Sequence, residues 1–316
     1  MLDHVDRLQG LRLKRFIDVN GQRRNAGGVT RAPASLLVLG SVVCVQFGQA
    51  VGATLFSDIG PAGVVTLRLG FAALVLLVIA RPSLPAAWSE RLVILGFGTA
   101  IAGMNLVYPS LLFLPLGLAT SLQLLGPITL ALVLSKRLLH AGFAVLAGAG
   151  VWLFYGRGGD DYSVVGVSLA LASGAAMAGY LLLSKRAGAS AVTLGPLAWA
   201  LLWAALLVAP LGIIENGSGL IDLRILLIGF TVAVLASVLP YSFEFIALRR
   251  LPPRTVGVMQ SLEPAAAGLA GTLLLAQYLA PLQWLALVLV GAASAGVVAF
   301  GRTPQRSGPA RTRTAP

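Results

Sequence analysis

Ten stretches of predominantly apolar residues follow one another along this chain. Each approaches the 20 or so residues a helix needs to cross a hydrocarbon core about 30 Å thick. They run over 35–56, 61–80, 91–113, 115–134, 138–155, 164–183, 191–213, 223–248, 253–275 and 281–301. The loops between them reach at most about ten residues, too short to hold a soluble domain. Residues 1–34 and 302–316 are basic tails. Composition agrees with this reading. Hydrophobic residues make up 57% of the 316 and charged ones 11%, against about 25% charged in a soluble domain. That polar share cannot cover a water-soluble globule, which excludes a soluble enzyme, a disordered protein and a nucleic-acid-binding domain. The expected fold is an all-α polytopic membrane protein with ten transmembrane helices.

The net charge of +12 invites a nucleic-acid partner, but the placement of the charges explains it otherwise. Of the 23 Lys and Arg residues, 20 fall in the two tails and in the second, fourth, sixth and eighth loops. The opposite loops hold only Arg157 and Arg224, and Arg68 lies inside a span. Positive residues accumulate on the cytoplasmic side. Both termini are therefore expected in the cytoplasm, as an even number of spans requires. The partner implied is the lipid bilayer, not nucleic acid. The first apolar run is a full span behind a long basic lead, with no clear small-residue cleavage site, so it reads as retained rather than as a signal peptide. The excess of Arg over Lys, with abundant Ala, Gly and Leu, fits a GC-rich bacterial genome. A single cysteine, Cys44, excludes an intrachain disulfide and a zinc cluster and reads as a small buried residue.

The chain also repeats itself. Displaced by 137 residues, Leu114-Pro115 through Gln123-Leu124-Leu125-Gly126-Pro127 lies on Leu251-Pro252 through Gln260-Ser261-Leu262-Glu263-Pro264. The fourth span then matches the ninth, and ten spans divide into five and five. The halves are 35–155 and 164–301. Five is odd, so the second half enters the membrane from the opposite side. Such inverted repeats are a common plan of secondary transporters, with the substrate near the midplane where the halves meet.

Charges inside spans are costly, about 2.5–3.5 kcal/mol at a helix centre, and commonly face a cavity. Three occur here: Arg68, Glu244 and Glu263. Glu263 lies nine residues past Arg254, about 13 Å deep at the helical rise and near the midplane. Pro264 bends the helix beside it and leaves carbonyls unpaired, and Gln260 shares its face. Glu263 is read as a carboxylate for a substrate amine or a competing proton, or as the ion-pair partner of Arg68. Arg68 lies seven residues into its span. Three roles stand open for it: pairing with Glu263, binding a substrate carboxylate through its planar fork, or snorkelling to the outer interface. Glu244 is shallower, close to Arg249 and Arg250, and snorkelling into a cytoplasmic ion pair is one reading. The other is a wet stripe of Ser237, Tyr241 and Glu244 at i, i+4 and i+7, which makes Glu244 a second proton-coupling candidate. Gln46 with Gln49, Asn105 with Tyr108, and Gln123 at the repeat position of Gln260 add neutral polar groups, each either interhelical glue or a substrate contact. Trp199 and Trp203 sit inside their span as core or cavity wall. The paired glycines, such as Gly148/Gly150, Gly174/Gly179, Gly268/Gly271 and Gly291/Gly296, read as close-packing sites. No phosphate-binding loop is visible, so ATP-driven transport is not expected. His4 and His140 lie away from the membrane centre, and no metal or catalytic pattern lies inside the spans. No cofactor is expected, and the chain does not read as an enzyme.

One further pattern concerns family. It comprises Gly60-Pro61-Ala62-Gly63 with Arg68, Gly103-Met104-Asn105, and Leu114-Pro115-Leu116-Gly117. The most specific run is Leu239-Pro240-Tyr241-Ser242, Glu244, Ile246-Ala247-Leu248, Arg250-Leu251-Pro252 and Arg254-Thr255, then Ser261-Leu262-Glu263-Pro264. From about residue 35 to 301 the chain resembles the EamA-type transporters of the drug/metabolite transporter superfamily, and within them the inner-membrane threonine/homoserine exporter (RhtA-type) branch. The resemblance implies a 5+5 inverted-repeat fold and export of small metabolites without ATP, amino acids such as threonine and homoserine in that branch. Where family members often carry Gly-Glu after the ninth span, Ala276-Gln277 stand here. The expectation is a bacterial inner-membrane exporter of amino acids, alternating in access and coupled to protons, as a monomer or homodimer. A broader metabolite or drug exporter, a channel and an intramembrane lipid-modifying enzyme are the alternatives.

Overall fold

Glycines, prolines and a few polar side chains decide where each apolar stretch bends, and the bends prepare the site. The computed structural model describes residues 33–135, 138–155, 162–189, 194–217, 219–248, 250–251 and 253–300. The tails at 1–32 and 301–316 with His4, and Lys136, Arg137, Arg157 and Arg249, lie outside the described residues, as do the side chains of Lys185, Arg186 and Arg254.

Helix α1 spans Ala34–Ala53, and α2 spans Phe56–Ala80. Within α2 the backbone leaves the helix at Gly60, whose φ of 66° suits a residue without Cβ. Pro61 then restarts the helix where its missing N–H does no harm. The regular helix therefore begins at the expected start of the second span. Helix α3, Trp88–Met104, is followed after Asn105-Leu106 by the single turn α4, Val107–Ser110. Helices α5, Leu116–Ser135, and α6, Leu138–Tyr155, complete the first half of the chain.

Helix α7 spans Val164–Ala189 and α8 spans Gly195–Asn216. Asp222 opens α9, Leu223–Ala233, by accepting from the N–H groups of Arg224 (2.9 Å) and Ile225 (3.2 Å). The apolar stretch then continues as a π turn over Val234–Val238 into α10, Leu239–Leu248. The ninth apolar stretch is broken in two. Helix α11 is Pro253–Gln260 and α12 is Glu263–Leu274. Between them the N–H groups of Ser261 and Leu262 bond back three residues, to the carbonyls of Val258 and Met259, in place of the four-residue helical step. Helix α13, Pro281–Phe300, ends the described chain.

Eight helical runs among the described residues are long and apolar enough to cross a membrane, two of them the continuous runs Trp88–Ser110 (α3 with α4) and Leu223–Glu244 (α9 into α10), and α6 is a shorter apolar helix. The break at Ser261-Leu262 leaves α11 and α12 with 8 and 12 residues, each too short alone. The described elements are helical throughout. Helix α2 lies along α8, and α6 along α13. Helix α7 packs on α3 and α5, while α1 packs on α10 and α12. The core is built on Ile59, Leu69, Leu76, Phe97, Ile101 and Leu201. Helices α5 and α7 approach so closely that a Cβ at Gly126 would run into the Gly174 carbonyl.

Polarity is distributed inside out. Gln46, Arg68, Asn105, Gln123, Ser173 and Ser237 are buried. Val78, Ile79, Trp152, Leu211, Leu227 and Val288 are exposed. In water each such exposed side chain would forgo about 1.5–3 kcal/mol of burial, whereas lipid accepts it without penalty. Cys44 is half-buried, not buried as expected, because it sits on the face of α1 beside exposed Val43.

Candidate functional site

A buried arginine organises the interior. Arg68 projects from the middle of α2, and its residue is 8% exposed. Its Nε donates to Ser237 Oγ at 3.0 Å, and Nη1 donates to Asn105 Oδ1 at 3.0 Å and to the Tyr108 hydroxyl at 3.1 Å. Its Nη2 donates to the Ala236 carbonyl at 2.7 Å. The guanidinium carbon also lies 5.3 Å from the centre of the Tyr108 ring, a cation–π distance.

The local sequence prepares each partner. Asn105 ends α3, and its Nδ2 donates to the Ile101 carbonyl at 2.8 Å, which fixes Oδ1 toward the arginine. Tyr108 sits in the short turn α4 and is fully buried. The Ala236 carbonyl is available because the residue four positions on is Pro240, which has no N–H to offer it. The π turn over Val234–Val238 carries that carbonyl and the Ser237 hydroxyl on one side; such bulges recur at functional sites. All four partners are neutral. Arg68 neither pairs with Glu263 nor snorkels outward in this structure.

The two carboxylates form a second cluster. Glu244, on α10, accepts at Oε1 from Ser41 Oγ of α1 (3.1 Å) and from Gln260 Nε2 of α11 (2.9 Å). It therefore faces inward rather than snorkelling. Glu263 opens α12, half-buried, within electrostatic reach of Glu244. Among the described residues none donates a hydrogen bond to its carboxylate, while both Glu244 donors go to one oxygen. Tyr241 stands within electrostatic reach of both Arg68 and Glu244 and so links the clusters. Pro264 withholds the N–H that an unbroken helix would give to the Gln260 carbonyl, which is why the chain opens beside Glu263.

The neutral candidates divide. Gln46 Oε1 accepts from Thr120 Oγ1 at 3.4 Å. Gln123 Nε2 donates to Ser173 Oγ (2.6 Å) and the Met104 carbonyl (3.1 Å), so its amide ties α5 to α7 and to the end of α3. Gln49 is buried, and its Oε1 has no hydrogen-bond partner. Trp199 Nε1 donates to the Ser83 carbonyl (3.4 Å) and Trp203 Nε1 to Thr99 Oγ1 (3.1 Å), so both indoles brace α8 against its neighbours.

The profile of the EamA-like transporter family matches residues 164–299. The threonine/homoserine exporter RhtA of Escherichia coli (strain K12) is 38% identical over 279 residues, covering 85% of this chain and 94% of its own. RhtA of Salmonella typhimurium (strain LT2) is 39% identical over 277 residues, covering 85% and 93%. The chain belongs to the EamA-like transporters. A solved crystal structure at 21% identity shares the fold of this EamA-type chain, with a TM-score of 0.57 over 86% of the chain and 99% of that structure.

Sequence reading gave no contact role to several polar side chains of this EamA-type chain. Ser41 gave no signal, because a serine in an apolar helix is common and its partner Glu244 is 203 positions away. Tyr180, within electrostatic reach of Tyr241 and Glu244, was equally silent. Glu215, at the end of α8, accepts from the Ala62 N–H at 3.2 Å and caps the helix restarted at Pro61. Gln277, where the resemblance implied an acidic residue, accepts from the Leu116 N–H at 3.0 Å and caps α5. An amide oxygen serves that purpose as a carboxylate would.

Proposed function

We propose that this transporter is a secondary active exporter of small amino acids such as threonine and homoserine, working by alternating access in a bacterial inner membrane and driven by protons. The observation that carries the reading is an ionisable pair of opposite sign inside a bundle whose curated relatives, threonine/homoserine exporters, match it over 85% of its length. Arg68 has five N–H donors, and four are engaged by neutral acceptors. The remaining Nη2 hydrogen and its positive charge suit a substrate carboxylate. Glu263, to which no described residue donates, suits the substrate ammonium or a competing proton. Gln46, Gln49, Gln123, Gln260, Asn105, Tyr108 and Tyr241 supply contacts around them, and Glu244 is the second proton-coupling group.

Ten spans arranged as a 5+5 inverted repeat support alternation about this site. In this reading α3 with α4, α9 with α10, and α11 with α12 each form one span. The repeats are 35–155 and 164–301, with both termini cytoplasmic. The broken ninth span matches half-helices that meet substrates at the midplane of other transporters.

The test uses paired vesicles loaded with labelled threonine, wild type beside Glu263→Gln, with and without a pH gradient. Proton-stimulated efflux in wild type and its loss in Glu263→Gln are the expected result. Normal gradient-driven efflux by Glu263→Gln would overturn the carboxylate role. No threonine movement by either would overturn the substrate and point to a broader exporter of the same fold.

A further inference from the structure

We infer that Gln49 reads the side-chain hydroxyl of the transported amino acid and so separates hydroxylated substrates from their apolar isosteres. The inference rests on the exporter reading above and names the part of the substrate that one side chain recognises.

Gln49 carries an orphaned acceptor. Gln49 is 6% exposed and its Oε1 has no hydrogen-bond partner. A buried acceptor left unpaired is unfavourable, and native structures seldom keep one without a reason. Its position on α1 supplies the reason. Residues advance about 100° around a helix. Gly52, about 60° to one side of Gln49, lies so near Tyr108 that a Cβ there would sit 3.1 Å from the ring. Gly48, on the same side, would place a Cβ 2.9 Å from the Ala236 nitrogen. That side of α1 therefore faces the Arg68 cluster. Gln46, about 60° to the other side, meets Thr120 of α5. Ala50 beyond it packs with Leu116 and Ala267. Gln49 thus points between the Arg68 cluster and the faces of α5 and α12, where α1 looks across the interior.

The chemistry then selects the group recognised. An amide presents an acceptor and two donors and carries no charge. The charged ends of an amino acid are matched by Arg68 and Glu263, which leaves the amide for the side chain. A hydroxyl donates and accepts at once, so it satisfies the Gln49 amide in either orientation. A methyl or ethyl group of the same volume leaves the carbonyl unpaired. Sites built to bond a hydroxyl reject the analogue lacking it far more strongly than apolar pockets reject an added one.

The experiment compares threonine with its isostere valine, and homoserine with norvaline, as unlabelled competitors of labelled threonine efflux from proteoliposomes. Three proteins are used: wild type, Gln49→Met, which keeps volume but removes the amide, and Gln49→Glu, which keeps a carbonyl-type acceptor. Wild type is expected to prefer each hydroxylated competitor by about tenfold or more, Gln49→Glu to retain a preference, and Gln49→Met to lose it. Equal competition by threonine and valine in wild type overturns the proposal, as does an undiminished preference in Gln49→Met. Should Gln49→Met move nothing, protection of the detergent-solubilised proteins against heat by threonine and by valine is the deciding readout. Threonine-specific protection kept by Gln49→Met overturns the proposal, and its loss there alone supports it. Absence of threonine efflux in wild type is a different failure, which removes the exporter reading and this inference with it.

Discussion

Arg68 commits four N–H donors to four acceptors on three separate segments: Asn105 at the end of α3, Tyr108 in α4, and Ala236 and Ser237 in the π turn. Its planar fork is what lets one side chain do this, and lysine offers a single point of attachment. Hydrogen bonds to a charged group contribute about 1.5–3 kcal/mol each, and about 1.4 kcal/mol is a factor of ten. Arg68→Lys is therefore expected to lower the initial rate of threonine export at least tenfold at equal membrane abundance, with Arg68→Ala lower still. Unchanged rates in Arg68→Lys would show that the fork is not required. At Gln277 the outcome is expected to follow the acceptor. Gln277→Leu removes the cap on Leu116 and is expected to destabilise the protein by about 1 kcal/mol. Gln277→Glu keeps an acceptor and adds a charge that suits a helix N-terminus, so its melting midpoint should match or exceed wild type.

At the scale of elements, the prolines matter through the carbonyls they leave open. Pro240 frees the Ala236 carbonyl, and Arg68 takes it at 2.7 Å. Pro240→Ala restores a competing N–H and favours a regular helix over the π turn. Weakening one such bond by about 1 kcal/mol corresponds to roughly fivefold. Export by Pro240→Ala is expected to fall by about that factor without loss of folded protein, and full activity would remove the π turn from the mechanism. The glycines act by proximity. Gly126 and Gly174 bring α5 and α7 into backbone contact, so Gly126→Ala overfills that seam at a cost of about 1–3 kcal/mol. Its melting midpoint in detergent should drop accordingly, and an unchanged midpoint would show that the seam opens freely.

For the whole molecule, the reading of ten spans with cytoplasmic ends makes a direct prediction. In a Cys44→Ala background, a cysteine introduced near either end of the chain should react with an impermeant thiol reagent only from the cytoplasmic side. Labelling of one end from outside would require an odd number of spans. The interior also shows how far sequence reading reached. The apolar stretches, their membrane character and the three intramembrane charges were legible, because hydrophobicity is local and a charge among apolar residues stands out. Partner choice was not legible. Glu244 looked shallow along its own helix, yet Ser41 and Gln260 hold it from two other elements. Arg68 left a pairing with Glu263 open, and four neutral groups surround it instead.

The family, the intramembrane charges and the bend at Pro264 were legible in residue order alone, since each depends on composition within about 20 residues or on a motif read in sequence. Which acceptors close around Arg68, which carboxylate stays without a donor, and which glutamine is left with an open carbonyl were decided only by tertiary structure. Those contacts join residues up to 203 positions apart. Their energies depend on distances of a few ångströms that only the packing of one helix against another sets.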